Sequence, residues 1–191
     1  MSNLTSIMRP MKFIPLYLTA VVLIGYTCLV PAAGSAKLAT VHDSIKAQFE
    51  SVQHIEASRF ETIPSDDVII FDVREQSEFD ISHLEGALQV SPAISSREFI
   101  STFNQMLTGK TVIFYCSVGQ RSSDLAERVQ DSLDNSATSG IYNLQGGIFN
   151  WHNEDRALVN EAGATDYVHP FNSYWGRLLE RPEMIRYQLD N

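Results

Sequence analysis

Cys116 stands where an apolar run, Thr111-Val-Ile-Phe-Tyr115, gives way to Ser117-Val-Gly119-Gln-Arg121-Ser122-Ser123. A thiol at that junction, followed by a short glycine-containing loop and a segment of helical character, lies where backbone N–H groups converge and favour negative charge. Arg121 adds a fixed positive charge that cannot be titrated away. A cysteine in such a field ionises more readily than a free one and becomes a nucleophile. Gly119 lets the loop curl without a side-chain clash, and Ser122 is placed to cap the following helix. The chain has one other cysteine, Cys28, inside an apolar N-terminal stretch. With that stretch removed, Cys116 is a lone thiol with no internal disulfide partner, which marks it as a candidate reactive group. A buried apolar cysteine is the plainer alternative.

The elements that must position this thiol follow from periodicity. Val68-Ile-Ile-Phe-Asp-Val73 and Thr111–Tyr115 are continuous apolar runs, as expected of strands buried on both faces. His54-Ile-Glu56, Ala87–Val90 and Ile141–Leu144 predict shorter strands. Apolar residues at Leu38, Val41, Ile45, Phe49 and Val52 predict an N-terminal helix over residues 37–53. Further helical segments are expected over Arg74–Ile81, from Ser95 or Ser96 through Leu107, and over Ser122–Leu133, with Ser58 capping a turn at Arg59–Ile63. Strands alternating with helices imply an α/β fold with a central parallel sheet and helices on both faces. Ligands of such folds bind beyond the carboxyl ends of strands, and Cys116 marks one such end. Residues 158–191 break the alternation and predict an aromatic-rich extension with one or two short helices. Within it Tyr174 and Trp175 are expected to dock on the surface, with a lid over the pocket as the alternative.

The 191 residues carry a net charge of −9, and Arg9 and Lys12 are the sole charges among the first 36. Losing those two of 14 basic residues would leave 12 against 23 acidic, or −11. Such a surface repels nucleic acid and anionic membranes. Arg9 and Lys12 precede an uncharged stretch from Phe13 to Val30, and small residues follow at Pro31-Ala-Ala-Gly-Ser-Ala36. That order predicts a secretory signal peptide over residues 1–36 and an exported, periplasmic or secreted protein. The alternative is an uncleaved membrane anchor over 13–33. Five histidines without ligand spacing and a single mature cysteine argue against a zinc site.

Four motifs in order over residues 54–157 resemble the rhodanese (sulfurtransferase) domain. Asp72-Val-Arg-Glu75 is similar to its Asp-Val-Arg-Glu box, and Ser82-His83-Leu-Glu-Gly86-Ala87 to its Gly-His-Ile-Pro-Gly-Ala turn. Cys116–Ser123 is similar to the active-site loop, and Leu144-Gln-Gly146-Gly147 with Trp151 to the closing Gly-Gly…Trp box. The resemblance implies a sulfane-sulfur transferase that forms a persulfide on Cys116 and needs neither metal nor organic cofactor. Its partners would be a small sulfur donor and a thiol acceptor, a protein thiol included. Backbone amides of Ser117, Val118, Gly119, Gln120 and Arg121, together with Ser122, would hold the anionic donor. Asp72 and Arg74 are expected to support the fold as an ion pair, and His83 to hold its turn. Four residues separate Cys116 from Arg121, one fewer than in cysteine phosphatases, so the cradle suits sulfur better than a phosphate ester. Ser117 stands where many thiosulfate-using members have a basic residue, which leaves Arg121 as the loop's one formal charge.

Overall fold

Neither of the two long apolar runs alternates with polar residues, and both become inner strands of one sheet. The computed structural model describes residues 33–134 and 138–189. Strands β1 (His54–Ile55), β2 (Val68–Asp72), β3 (Leu88–Gln89), β4 (Thr111–Tyr115) and β5 (Gly140–Leu144) form a five-stranded sheet in the order β1-β5-β4-β2-β3. Every pairing is parallel. Residues Val112 to Tyr115 are buried on the middle strand, as a sheet covered by helices requires. The helices are α1 (Ala33–Gln48), α2 (Ala57–Phe60), α3 (Gln76–Ile81), α4 (Ser96–Phe103), α5 (Gln120–Asp134) and α6 (Gly147–Asn153). Helices α4 and α5 pack together, and α1 packs on α6. Phe71 of β2, Phe114 of β4 and Phe99 of α4 meet with ring centroids 4.9–5.5 Å apart, which centres the core on that helix–sheet contact.

Several element boundaries differ from the periodicity. Helix α1 starts at Ala33 and stops at Gln48, whereas the spacing predicts 37–53. Its first turn is secured from far along the chain: the Ser35 amide donates to Glu180 at 2.9 Å, and the Ser35 hydroxyl also binds that carboxylate. Phe49 and Val52 are nevertheless buried as expected, carried by turns that follow the helix. Ser58 lies inside α2, whose N-cap position is Glu56, so it is not a cap. Helix α3 begins at Gln76 rather than Arg74, because Glu75 and Glu78 form a reciprocal capping box. Helix α5 begins at Gln120, so Ser122 lies within its first turn and does not cap it. Ser95 does cap α4, accepting from the Glu98 amide at 3.2 Å, but the α-helix yields to a 3₁₀ turn at Asn104.

The extension contains a hairpin that periodicity does not predict, β6 (Leu158–Asn160) with β7 (Gly163–Thr165), followed by 3₁₀ turns at Trp175–Leu178 and Pro182–Met184. Two short strands carry too few residues to show alternation. Their place is set by tertiary pairing, since His83 and Val159 exchange both backbone hydrogen bonds, at 2.8 and 3.0 Å. Leu158, Val168, Leu178 and Leu179 are buried, so this segment belongs to the core. No helix among the described residues is long and apolar enough to cross a membrane. Residues 1–32, which hold Cys28 and most of the predicted signal peptide, lie outside the described residues.

Helix α6 holds the cysteine loop in place. The Ile148 amide donates to the Cys116 carbonyl at 2.9 Å and the Phe149 amide to the Ser117 carbonyl at 3.1 Å. Gly147 has φ +59°, and a Cβ there would lie 2.3 Å from the Cys116 carbonyl oxygen. Gly147→Ala is therefore expected to cost about 2–4 kcal/mol, because strain and a backbone clash add together. Urea denaturation of the variant against the parent measures this.

Candidate active site

Cys116 follows β4 directly, and its carbonyl and that of Ser117 are committed to α6. The Gly119 amide donates to Cys116 Sγ at 3.2 Å. Gly119 has φ +108°, and a Cβ on it would press within 2.9 Å of Asn143 Nδ2. Burial alone raises the thiol. The Arg121 guanidinium, the Ser122 hydroxyl and the amides of Ser122 and Gly119 outweigh it and hold Cys116 below its ordinary value of 9.0. Ser122 Oγ also donates to Asn143 Oδ1 at 2.6 Å. One hydroxyl proton serves one acceptor at a time, so Ser122 helps the thiolate only by releasing Asn143. Arg121 and the two amides carry most of the stabilisation.

Arg121 is not a free charge. Its Nη1 donates to Glu78 Oε2 at 2.8 Å, and its Nη2 to Glu78 Oε1 and to Ser117 Oγ, both at 3.0 Å. Ser117 Oγ donates in turn to Glu78 Oε1 at 3.1 Å. Burial pushes the Glu78 carboxyl up, but Arg121 and then Arg74 hold it below the usual carboxylate value. Sequence reasoning missed Glu78; the Glu75-x-x-Glu78 capping-box spacing was its only visible signal.

The remaining predicted residues sort into lining and support. Ser117, Val118, Gln120 and Arg121 line the cavity with Cys116. Gln120 Nε2 reaches Gln48 Oε1 at 3.1 Å. Asp72 and Arg74 are fully buried and form a bidentate pair, with Arg74 Nε 2.8 Å from Oδ1 and Nη2 2.6 Å from Oδ2. Burial opposes the Arg74 charge, yet Asp72 holds the guanidinium above its ordinary value. Tyr115 Oη donates to Asp72 at 2.6 Å and accepts from the Leu84 amide at 3.1 Å, while Arg74 Nη2 donates to the Ser82 carbonyl at 2.6 Å. The pair thus ties the ends of β2 and β4 to the turn at 82–84 and does not line the cavity. His83 stacks on Phe79 at 3.7 Å and belongs to the same turn.

A polar chain on the other side of the loop was also missed. Asn143 Nδ2 lies 3.3 Å from His54 Nδ1, and the His54 ring packs edge-on against His42 at 4.9 Å. Burial, with His42 and Lys46 adding to it, lowers His54 from 6.5 to about 4. Nothing in the spacing of Asn143 or the histidines marks them, because the β1–β5 pairing and the packing of α1 bring them together behind Ser122.

The thiol itself is buried in the wall of a cavity that opens to the surface. Cys116 is 0% exposed and forms part of the wall of a cavity of about 210 Å³ that Phe171 and Trp175 also line. This corrects the expectation that the extension's aromatic residues dock on the surface. Trp175 is half-buried against the cavity, and Phe171 places its ring 4.9 Å from the Arg121 guanidinium carbon. Phe171 keeps 45% of its surface exposed while lining the cavity, and Tyr174 is outward, 64% exposed. No cluster of three or more His, Cys, Asp or Glu side chains among the described residues could hold a metal.

A parallel α/β sheet thus presents Cys116 and the loop that follows it at the end of β4. A family model for the rhodanese-like domain matches residues 50–154, and the chain belongs to that family. It is 31% identical over 93 residues to tRNA uridine(34) hydroxylase of Bacillus pumilus (strain SAFR-032), and 30% identical to that of Bacillus thuringiensis (strain Al Hakam). These matches cover 47% of this chain and 27% of either relative, so the chain spans about a quarter of their length. Thiosulfate sulfurtransferase from Pseudomonas aeruginosa superposes with a TM-score of 0.49 at 16% identity, over 74% of this chain and 26% of that one. A rhodanese-like domain protein from Staphylococcus aureus superposes with a TM-score of 0.40 at 19% identity, over 52% and 91%.

Two titrations check these electrostatics. Alkylation of Cys116 by iodoacetamide is expected to show a midpoint below 9.0. Arg121→Gln should move that midpoint upward, because the cation goes while burial and the Glu78 charge remain. For His54 the lowered value means the unfolded chain takes up a proton first. Stability is therefore full above about pH 6.5 and declines as pH falls toward about 4. His54→Gln should flatten part of that decline in urea midpoints measured across the window.

Proposed function

We propose that this chain is a sulfurtransferase that carries sulfane sulfur as a persulfide on Cys116. The observation that supports it most directly is the Gly119 amide directed at Cys116 Sγ from 3.2 Å, beside Arg121. The Cys116 thiolate attacks the outer sulfur of a donor, either thiosulfate or a persulfide. A new S–S bond forms as the donor's S–S bond breaks, and the donor leaves with the electron pair, as sulfite in the case of thiosulfate. A thiol or cyanide acceptor then takes the terminal sulfur and returns Cys116 to the thiolate. Inward amides stabilise both anions without reorganising. No step draws on a metal or an organic cofactor. The one-residue-shorter loop favours sulfur over a phosphate ester.

We also propose export through the N-terminal segment, with anchorage by residues 13–33 as the alternative. The partners proposed are a small donor and a thiol, a protein thiol among them. The hydroxylase activity of the curated relatives is not carried over, since a net charge of −9 suits tRNA poorly.

A second reading is a binding or redox-sensing module with little turnover. The burial of Cys116 and the Glu78 partner of Arg121 favour it. Incubation with thiosulfate or a small persulfide, followed by intact-mass measurement, separates the two. A gain of one sulfur atom that Cys116→Ser lacks is expected. No gain from any such donor would leave the binding module as the better reading.

A further inference from the structure

The family match ends at residue 154, yet residues 171 and 175 complete the cavity around the reactive sulfur. We propose that Phe171 and Trp175 set donor specificity, selecting a small organic persulfide with an apolar carrier group over the thiosulfate dianion. The inference rests on the sulfurtransferase reading and names its substrate class.

Charge is the first argument. Both terminal nitrogens of Arg121 are engaged by Glu78, and Nη2 also by Ser117. The face of the guanidinium lies against the Phe171 ring. Arg121 is the one cation lining the cavity, and with Cys116 ionised the local charges of Cys116, Arg121 and Glu78 sum to net negative. A dianion entering there finds no unpaired positive charge and loses its hydration against apolar walls, a cost that low dielectric increases.

Construction of the roof is the second argument. Phe171 is a non-glycine residue at φ +63°, a conformation that persists only when its surroundings impose it. Its amide donates to His169 Nδ1 at 3.0 Å, which fixes the turn and aims the ring at Arg121. Burial, together with Arg74 and Arg121, holds His169 below its ordinary value and so keeps that nitrogen an acceptor. Trp175 is anchored through its amide to Asn172 Oδ1 at 3.1 Å. With Val118 these rings offer an apolar surface in about 210 Å³, less than a drug-sized pocket and roomy for a few carbons beside a disulfane. In the step itself Cys116–S⁻ attacks the terminal sulfur of R–S–SH. The products are Cys116–S–SH and R–S⁻, and the apolar R group rests against Phe171 and Trp175.

Three donors separate carrier from chemistry: benzyl persulfide, 2-sulfoethyl persulfide with the same reactive group, and thiosulfate. The rate of sulfur gain on Cys116 is followed by intact mass over a concentration series. Benzyl persulfide is expected to load at a half-saturating concentration about tenfold or more below that of the sulfoethyl compound, and thiosulfate to be slowest. Phe171→Ala and Trp175→Ala should each erase about three- to tenfold of the benzyl preference through the half-saturating concentration rather than the limiting rate. Phe171→Leu, which keeps an apolar group, should fall between, and circular dichroism reports that each variant folds. Equal use of the two persulfides, or variants that slow all donors alike, would overturn the specificity inference and leave sulfur transfer standing. Failure of every donor to load Cys116 would sink the transferase reading as well.

Discussion

Two backbone hydrogen bonds govern the site. The free amides at the start of α6 need acceptors, and the carbonyls of Cys116 and Ser117 supply them. With those carbonyls facing α6, the chain that follows turns so that the Gly119 amide meets the sulfur at 3.2 Å. Gly147 permits the approach, because any side chain would occupy the space of the Cys116 carbonyl. The paired glycines of the sequence are thus part of the electrostatic device. They bring the helix close enough to orient the loop, and the oriented loop favours the thiolate.

Charge around the sulfur is balanced more tightly than the loop alone suggests. Arg121 lowers the thiol while Glu78, 2% exposed, takes up the guanidinium's hydrogen-bonding edge. The pair stays in place because Glu78 also closes the capping box of α3, so the helix that supplies the carboxylate is started by it. Asp72 and Arg74 form a second buried pair a short way off, with Tyr115 and the 82–84 turn as further partners. Removing one member of such a pair leaves an uncompensated buried charge, which typically costs about 3–5 kcal/mol. That pair holds the strand ends from which the loop emerges. The Arg121–Glu78 pair tunes what the loop does.

The extension joins these systems physically. Its hairpin pairs with His83, its Glu180 secures the first turn of α1, and its aromatic residues roof Cys116. Helix α1 in turn carries His42, which packs on His54 and so reaches Asn143 and Ser122 from behind. Segments at both ends of the described chain therefore meet around the family domain, and each reaches residues that surround Cys116.

The parallel sheet, the cysteine at its strand end and the supporting pair Asp72–Arg74 were legible from residue order, whereas the cap assigned to Ser122 was not. Continuous apolar runs, glycine positions and the Cys-to-Arg spacing are local properties, and local properties survive in a one-dimensional string. Glu78 as the partner of Arg121, Asn143 behind Ser122, the β6–β7 hairpin, the start of α1 at Ala33 and the aromatic roof were decided by tertiary structure. Each depends on groups tens of residues apart, such as Ser35 with Glu180 or Arg121 with Phe171, meeting through packing. A carboxylate or a phenyl ring carries no mark of its distant neighbour in the sequence. Burial of Cys116 follows the same logic: the strand end predicts a reachable thiol, and the folded chain sets it in the wall of a cavity that the loop and the extension line together.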